Sequence, residues 1–238
     1  MEKGELVFDG NEKQIFATGE PDKVIIRYKD VGTAFNNIKR AVFHGKGVLN
    51  NAISTITFEA LRDAGIKVHF IESISDREQL CLKLEPVPIQ VTCRNRIAGS
   101  LARILGVEEG LKPQGCILDL RYNNDDLGDP VINDDQAVAL SLVTAEELRH
   151  IKSVACKSNE VLTELFGRAG IELVDFKMEF GRNAEGELII ADELSPDNCR
   201  LWDARTGEKM DKDRFRLDLG NVTGSYAEVL DRLKKTKR

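Results

Sequence analysis

The sequence lacks a long apolar run, an excess of basic residues and any closely spaced metal-binding pattern, and each absence excludes a class of protein. Without a run of about 18 apolar residues, no transmembrane helix is expected. The amino terminus Met1-Glu2-Lys3-Gly4-Glu5 lacks the basic and then apolar pattern of a secretory signal. The 34 Lys and Arg residues face 40 Asp and Glu residues, for a formal net charge of −6. A global basic field for nucleic acid is therefore absent, although a local basic site can still hold phosphate. We expect a soluble, cytoplasmic protein whose partners are neither nucleic acid nor a membrane.

Cysteines and histidines are few and scattered, which argues against disulfides and zinc. The five cysteines are an odd number with no CxxC pair, so reduced thiols in a reducing compartment are expected. Cys81 and Cys93 lie in apolar, strand-like runs and Cys156 lies on a predicted helix face, so each is expected to be a small core residue. The three histidines show no spacing suited to zinc ligands.

What the sequence does contain is enough apolar material for a core, arranged in a mixed order of strands and helices. Its 238 residues, 42% of them hydrophobic, fit one large domain or two modest ones. Asp9-Gly10-Asn11 is typical of a hairpin turn, and Thr144 with Glu147 has the spacing of a helix capping box. Apolar patterns predict strands at 7–8, 14–16, 24–28, 66–71, 80–84, 89–94, 171–180 and 188–191, and helices at 50–64, 98–105, from 144 onward and around 226–233. Pro86 and Pro88 mark a boundary between two lobes. The fold class predicted is α+β, with antiparallel sheets, packed helices and two lobes.

The first group of chemically interesting residues lies on the predicted strand pair of the carboxyl-terminal half. Asp175, Lys177 and Glu179 share one face because side chains alternate along a strand, and the second strand brings Asp192 close. A lysine among carboxylates suits a divalent metal that carries nucleotide phosphates, since Mg²⁺ takes one or two carboxylates and keeps substrate oxygens and water. The structural alternative is cross-strand salt bridging on a solvated face.

The second group is Arg94-Asn95-Arg96-Ile97-Ala98-Gly99-Ser100, where a predicted strand runs into a helix. Small residues at a helix amino terminus let backbone N–H groups approach an anion, and Arg94 adds a fork of donors. This pattern indicates a phosphate pocket, although a helix that begins Ala-Gly-Ser is also common in ordinary structure.

The third group consists of two dense polar stretches, residues 195–203 and 210–216, which contain the only tryptophan. A loop rich in Asp, Asn and Arg can bind a carboxylated or phosphorylated small molecule. The alternative is a surface loop with local ion pairs.

Together these groups resemble the SAICAR synthetases, the phosphoribosylaminoimidazole-succinocarboxamide synthases of purine biosynthesis. The resemblance extends in order over nearly the whole chain and includes Gly45-Lys46-Gly47, Arg94-Asn95, Ala98-Gly99-Ser100, Asp175-Phe176-Lys177-Met178-Glu179, Asp192-Glu193, Ser195 to Asp203 and Asp211 to Arg216, besides Phe35-Asn36. It implies a ligase in which ATP activates the carboxylate of carboxyaminoimidazole ribonucleotide (CAIR) by phosphoryl transfer, so that the amine of L-aspartate can attack. It also implies ATP and Mg²⁺ as cofactors, a cleft between the lobes and a homodimer.

The resemblance also implies a role for individual residues. Residues 1–86 would form a nucleotide-side lobe, and residues 87–238 would carry the metal and ribonucleotide sites. Glu179 and Asp192 would hold Mg²⁺. The nucleotide would meet Lys13, Lys83, Lys177 and Glu179. The ribonucleotide and its phosphate would meet Arg94, Ser100, Arg200, Asp197 and Arg216. Lys177, Asp175 and Asp197 would act at the reacting groups.

The sequence departs from the family pattern at several nucleotide-side positions. The hairpin reads Gly10-Asn11-Glu12-Lys13 where Gly-Lys-x-Lys is usual; Leu82, Asn123 and Gln136 occupy positions of a usual Lys, Lys and His. Two interpretations follow. Either Lys13, Lys83, Lys177 and Mg²⁺ suffice for ATP, or the chain is a divergent relative that keeps a phosphoribosyl pocket but has changed or lost ATP-driven ligation.

Overall fold

The protein is described here from a computed structural model of residues 2–35 and 38–236. Asn36 of the family resemblance, and Lys237 and Arg238 of the basic tail, lie outside the described residues. The strands are β1 Lys3–Asp9, β2 Lys13–Thr18, β3 Lys23–Tyr28, β4 Val31–Ala34, β5 Lys39–Val42, β6 Phe70–Ser73, β7 Glu78–Leu82, β8 Glu85–Arg94, β9 Ile117–Tyr122, β10 Val131–Ile132, β11 Ile171–Arg182, β12 Leu188–Ala191 and β13 Cys199–Asp203. The helices are α1 Lys46–Asp63, α2 Ser100–Leu105, α3 Asp134–Ala139, α4 Ala145–Arg168, α5 Asp213–Arg216 and α6 Val222–Thr236.

The first sheet has five antiparallel strands in the order β1-β2-β3-β7-β6. The predicted β1–β2 hairpin is confirmed, and Gly10 N–H donates to the Lys13 carbonyl across its turn at 2.9 Å. The strand predicted from Ile66 begins only at Phe70. Ile66 N–H instead donates to the Leu61 carbonyl at 3.0 Å, which satisfies a carbonyl at the end of α1. The β1–β2 hairpin forms one edge of this sheet, since β1 is its outermost strand.

The second sheet has the order β10-β9-β8-β11-β12, and β13 also pairs with β11. Its strand β8 contains both Pro86 and Pro88, so the strand predicted from Ile89 starts four residues earlier. The prolines are tolerated because the ladder with β9 begins only at Ile89, so β9 requires no backbone N–H from either proline. The polar segment that holds β13 was predicted as a loop. It pairs as a strand because β11 extends beyond the hairpin with β12.

The main core lies between one face of the second sheet and helices α1, α4 and α6. Helix α4 begins after Thr144 with both bonds of the predicted capping box, and its stripe of Leu148, Ile151 and Leu162 is buried. Cys156 was expected in the core but is exposed, because its neighbour Ala155 occupies the buried face of α4. Since the core covers one face of β8 and β11, the other face is left for polar residues.

Helix α1 starts at Lys46, four residues before its predicted start, after Gly45 with φ 86°. This left-handed conformation favours glycine and places the Lys46 side chain at the beginning of the helix. Within the described part of the chain, the helices include none that is long and apolar enough to cross a membrane.

Candidate active site

A cleft of about 770 Å³ lies over the polar face of the second sheet. Strands β8, β9 and β11 supply its floor, and the β1–β2 hairpin contributes Glu12 and Lys13 from the other sheet. Ten residues predicted to function line it: Lys13, Arg94, Ser100, Asp175, Lys177, Glu179, Asp192, Asp197, Arg200 and Arg216. The cleft therefore brings together residues that are more than 200 positions apart in the sequence.

The register of β8 and β11 sets the order of groups along the floor. Asp175 pairs with Arg94, Lys177 pairs with Thr92, and Glu179 pairs with Gln90. All six residues line the cleft, whereas Phe176 and Met178, which alternate with the acids, are buried in the core. The predicted shared face of Asp175, Lys177 and Glu179 is thus present.

At the end of the cleft floor where Asp175 pairs with Arg94, two arginines contact the Asp175 carboxylate. Arg94 Nη1 lies 2.8 Å from Asp175 Oδ2, and Arg200 Nη1 lies 2.9 Å from the same oxygen. Asp213 holds the second arginine at 2.8 Å and also contacts Arg216. Burial raises the pKa of Asp213, but Arg200 and Arg216 outweigh it and leave that pKa below its usual value. The carboxylates fix the guanidinium planes before any ligand arrives, as an anion site requires.

The start of helix α2 borders the same arginines. Gly99 has φ 57°, and a Cβ at this position would lie 2.7 Å from Arg200 Cζ, so only glycine admits the guanidinium here. Gly99 N–H already donates to Glu109 Oε1 at 3.1 Å, while Ser100 lines the cleft. Arg94, Gly99 and Ser100 of the predicted phosphate pocket therefore line one cleft together with Arg200, and the Gly99 N–H is taken by a carboxylate. Their binding of phosphate remains a prediction.

At the other end of the floor, each predicted metal carboxylate contacts a lysine. Lys177 Nζ lies 2.9 Å from Glu179 Oε1, and Lys13 Nζ binds Asp192 and lies 2.9 Å from Glu193 Oε1. Burial lowers the pKa of Lys177, but Glu179 and Asp192 outweigh it and raise that pKa above its usual value. Glu179 and Asp192 both line this end of the cleft, and Glu179 pairs across the ladder with Ala191, the residue before Asp192. Their oxygen donors fit Mg²⁺.

The backbone at Asp192 explains why two consecutive acids reach the cleft. Asp192 has φ 66°, in the left-handed region that non-glycine residues rarely adopt. This turn breaks the alternation after β12, so that Asp192 and Glu193 both line the cleft. Burial raises the pKa of Glu193; Lys13 opposes the rise, and the nearby carboxylates of Asp197 and Asp192 add to it.

Asp197 is buried at the back of the cleft and saturated with donors. Lys46 and Asn50 of α1 both bind its Oδ2, and Tyr226 of α6 donates to Oδ1 at 2.7 Å. Burial raises the pKa of Asp197, but the ammonium groups of Lys46 and Lys212 outweigh it and hold the pKa well below its usual value. A carboxylate held in this way stays ionised, and it is a better anchor than a proton acceptor.

Sequence reasoning missed Glu12, Glu193, Lys46 and Lys212 as members of the site. The carboxylate oxygens of Glu12, Glu193 and Asp197 lie within 4.8 Å of one another. Each of the three binds its own lysine, so the group is an ion-pair network between the hairpin and the second sheet. The Gly45-Lys46-Gly47 motif was the available signal for Lys46, and the unusual Gly10-Asn11-Glu12-Lys13 turn was the signal for Glu12.

Lys83 is the one predicted site residue that is not among the described residues lining the cleft. It lies between β7 and β8, and its backbone N–H donates to the Asp22 carbonyl at 2.7 Å. Its contact with a nucleotide remains a prediction.

Two of the departures from the family pattern have local structural roles. Asn123 accepts a hydrogen bond from the Gln90 amide, which lines the cleft. Gln136 completes a capping box with Asn133 at the start of α3, with both hydrogen bonds at 2.8 Å. These side chains are therefore engaged in the fold.

In both sequence and structure, the chain is similar to known proteins of one family. The family model described as SAICAR synthetase matches residues 6–233. The phosphoribosylaminoimidazole-succinocarboxamide synthase of Clostridium beijerinckii is 52% identical, over 99% of this chain and 100% of that protein. The crystal structure of the synthase of the same name from Ehrlichia chaffeensis has a TM-score of 0.95 and 44% identity, covering 97% of this chain and 98% of that one. A SAICAR synthetase in complex with ADP has a TM-score of 0.93 and 41% identity, over 96% of this chain and 97% of that one.

Proposed function

The chain belongs to the SAICAR synthetase family, and from that premise we infer that it is an ATP-dependent carbon–nitrogen ligase of purine biosynthesis. It joins L-aspartate to the carboxylate of CAIR and forms SAICAR, ADP and phosphate. Relatives match at about half identity over their full length, and nothing in those matches favours the divergent alternative.

The order of charged side chains along β11 is the observation that supports assigning this reaction to these residues. Asp175, which holds the arginines, is four residues from Glu179, so the two are separated by about 13 Å at ~3.3 Å per residue. Lys177 lies midway between them. A phosphate held at the arginine end and a nucleotide held at the carboxylate end would therefore place the reacting groups over Lys177.

We assign the arginine end to the ribonucleotide. Arg94, Arg200 and Arg216, with the hydroxyl of Ser100, would bind its phosphate, since planar guanidinium groups suit phosphate oxygens. Asp175 orients two of these arginines, and its oxygens are occupied by their donors.

We assign the carboxylate end to the nucleotide. Lys13, Lys83 and Lys177 would bind phosphate oxygens, and Glu179 and Asp192 would hold Mg²⁺. When bound, the metal would neutralise part of the negative charge on the nucleotide phosphates. This end lies against the hairpin tip of the first sheet, which supports a nucleotide-side role for that sheet. We propose residues 1–86 as the nucleotide-side lobe and residues 87–238 as the lobe with the metal and ribonucleotide sites, with α1 of the first range packed into the core of the second sheet.

The chemistry requires positioning more than a protein nucleophile. A carboxylate oxygen of CAIR attacks the γ-phosphorus, ADP leaves, and an acyl phosphate forms. The amine of L-aspartate then attacks the acyl carbon, loses a proton and expels phosphate to leave the amide. Lys177 would stabilise the phosphoryl oxygens during both steps, and the ionised Asp197 would position the loop that borders them.

An ADP-release assay tests the function. Purified protein should release ADP from ATP and Mg²⁺ only when CAIR and L-aspartate are both present, and omission of either should leave the background rate. Steady-state ADP release that is as fast without L-aspartate as with it, or no release with the full mixture, would contradict the ligase. Thermal shifts with ATP and CAIR added separately distinguish the alternative, because a ligand that binds the folded state raises apparent stability. A response to CAIR alone would favour a phosphoribosyl-binding relative.

We also propose a homodimer, as the family resemblance implies. Light scattering coupled to gel filtration should give twice the 26.6 kDa of one chain. A mass of one chain at micromolar protein concentration would contradict this.

A further inference from the structure

The two carboxylates proposed for the metal are already neutralised by lysines from different parts of the chain. Lys177 Nζ is 2.9 Å from Glu179 Oε1 on the same strand. Lys13 comes from the hairpin of the other sheet, binds Asp192 and lies 2.9 Å from Glu193. An ammonium group therefore lies against each carboxylate that a bound cation would need.

These ion pairs also restrict the side chains that take part in them. Lys13 is 19% exposed and Glu193 is 3% exposed, so neither ammonium nor carboxylate can turn freely into solvent.

The ion pairs at this site favour a metal bound to a polyphosphate over a free metal cation. Glu179, Asp192 and Glu193 each contact the ammonium group of Lys13 or Lys177, so a free cation would have to displace a lysine from its carboxylate. Mg²⁺ loses its water reluctantly, and its sites combine one or two carboxylates with substrate phosphates. A polyphosphate that arrives with the metal offers the lysines new anionic partners and frees the carboxylates at the same time.

We propose that Lys13 and Lys177 are specificity-determining residues that exclude free divalent cations and admit the metal only together with a nucleotide polyphosphate. This inference rests on the proposed function, because it takes Glu179 and Asp192 as the metal ligands. In the absence of nucleotide the ammonium groups occupy the carboxylates. In its presence they move to phosphate oxygens.

The test is a titration of nucleotide-free protein with Mn²⁺, followed by the electron paramagnetic resonance signal of the unbound ion. Lys13→Met and Lys177→Met should each bind Mn²⁺ at least about tenfold more tightly than the wild type. Lys13→Arg keeps the charge and should bind Mn²⁺ as weakly as the wild type does. Lys67→Met removes an exposed lysine that pairs with Glu187 outside the cleft, and it should change nothing.

A second measurement follows ADP binding by calorimetry in the presence of Mg²⁺. Both methionine variants should lose about tenfold in ADP affinity while they gain affinity for the free metal. A lysine with a merely structural role would not produce this opposite pair of changes. Circular dichroism shows whether each variant is folded. Because Lys13 and Lys177 lie on strands of different sheets, one variant can fold even if the other does not, and a single folded variant is enough for the test.

The inference is overturned if free-metal affinity in the folded methionine variants stays within about twofold of wild type. It is also overturned if the wild type binds free Mn²⁺ as tightly as it does with ADP present. Failure of the proposed function looks different: the wild type then binds no ADP with Mg²⁺, whereas the free-metal titration still decides the role of the lysines.

Discussion

Replacing Lys46 by methionine removes a buried ammonium group that the structure pairs with Asp197. Both side chains are almost completely buried, at 1% and 3% exposure. The variant leaves the Asp197 carboxylate in a poorly solvated place with two neutral donors, the Asn50 amide and the Tyr226 hydroxyl, and with Lys212 as the remaining ammonium group that favours its charge. Methionine has nearly the length of lysine, so the loss of charge is the main change.

The expected cost follows from the burial of the pair. Removal of one partner from a buried ion pair costs about 3–5 kcal/mol, and the two remaining donors place this case near 3 kcal/mol. For a chain of this length, that corresponds to a fall in Tm of about 6–12 °C. Lys46→Met combined with Asp197→Asn removes both charges, and it should recover about half of the loss or more.

Thermal and urea unfolding of the single variant, the double variant and a control would measure this. The control is Lys152→Met, which breaks the exposed pair with Asp134 and should cost about 0–1 kcal/mol. The reasoning is refuted if Lys46→Met costs no more than this control, or if the double variant is no more stable than Lys46→Met alone. Loss of activity in the double variant is expected, because Asp197 lines the cleft.

Three further predictions concern the nucleotide side and the response to acid. Glu179→Gln should lower kcat by about 10²–10³-fold while CAIR affinity by calorimetry changes little, because it removes charge only at the metal end; an active variant would defeat that role. Asn11→Lys should tighten ATP binding by calorimetry, since it restores a cation at the hairpin tip; unchanged affinity would mean that the tip does not meet the phosphates. A hydrogen bond from Arg182 lowers the pKa of Glu147 from 4.5 to about 2. Its stabilisation is therefore complete above pH 4.5 and is lost as the pH falls toward 2. In urea unfolding, Glu147→Gln should be less stable than wild type at pH 7, and the difference should shrink across that window; a constant difference would refute this role.

Features that depend only on residues close together in the sequence could be predicted from the sequence. The alternation from Asp175 to Glu179 predicted which side chains share a face, and β11 has that arrangement. Thr144 and Glu147 predicted the start of α4, because a capping box involves only neighbouring residues. Asn133 and Gln136 have the same spacing at the start of α3, so the departure at Gln136 has an explanation in its sequence neighbours as well.

The sequence by itself determined the family, the fold class and ten of the residues that line the cleft. Only the tertiary structure decided their partners: the pairing of Lys13 with Asp192, of Lys46 with Asp197 and of two arginines with Asp175. Such pairs depend on strand register and on how the hairpin of one sheet meets the other. A shift of one residue in register would turn every side chain of a strand to its opposite face. Local patterns therefore determined which groups are available, and long-range packing determined which charges neutralise each other.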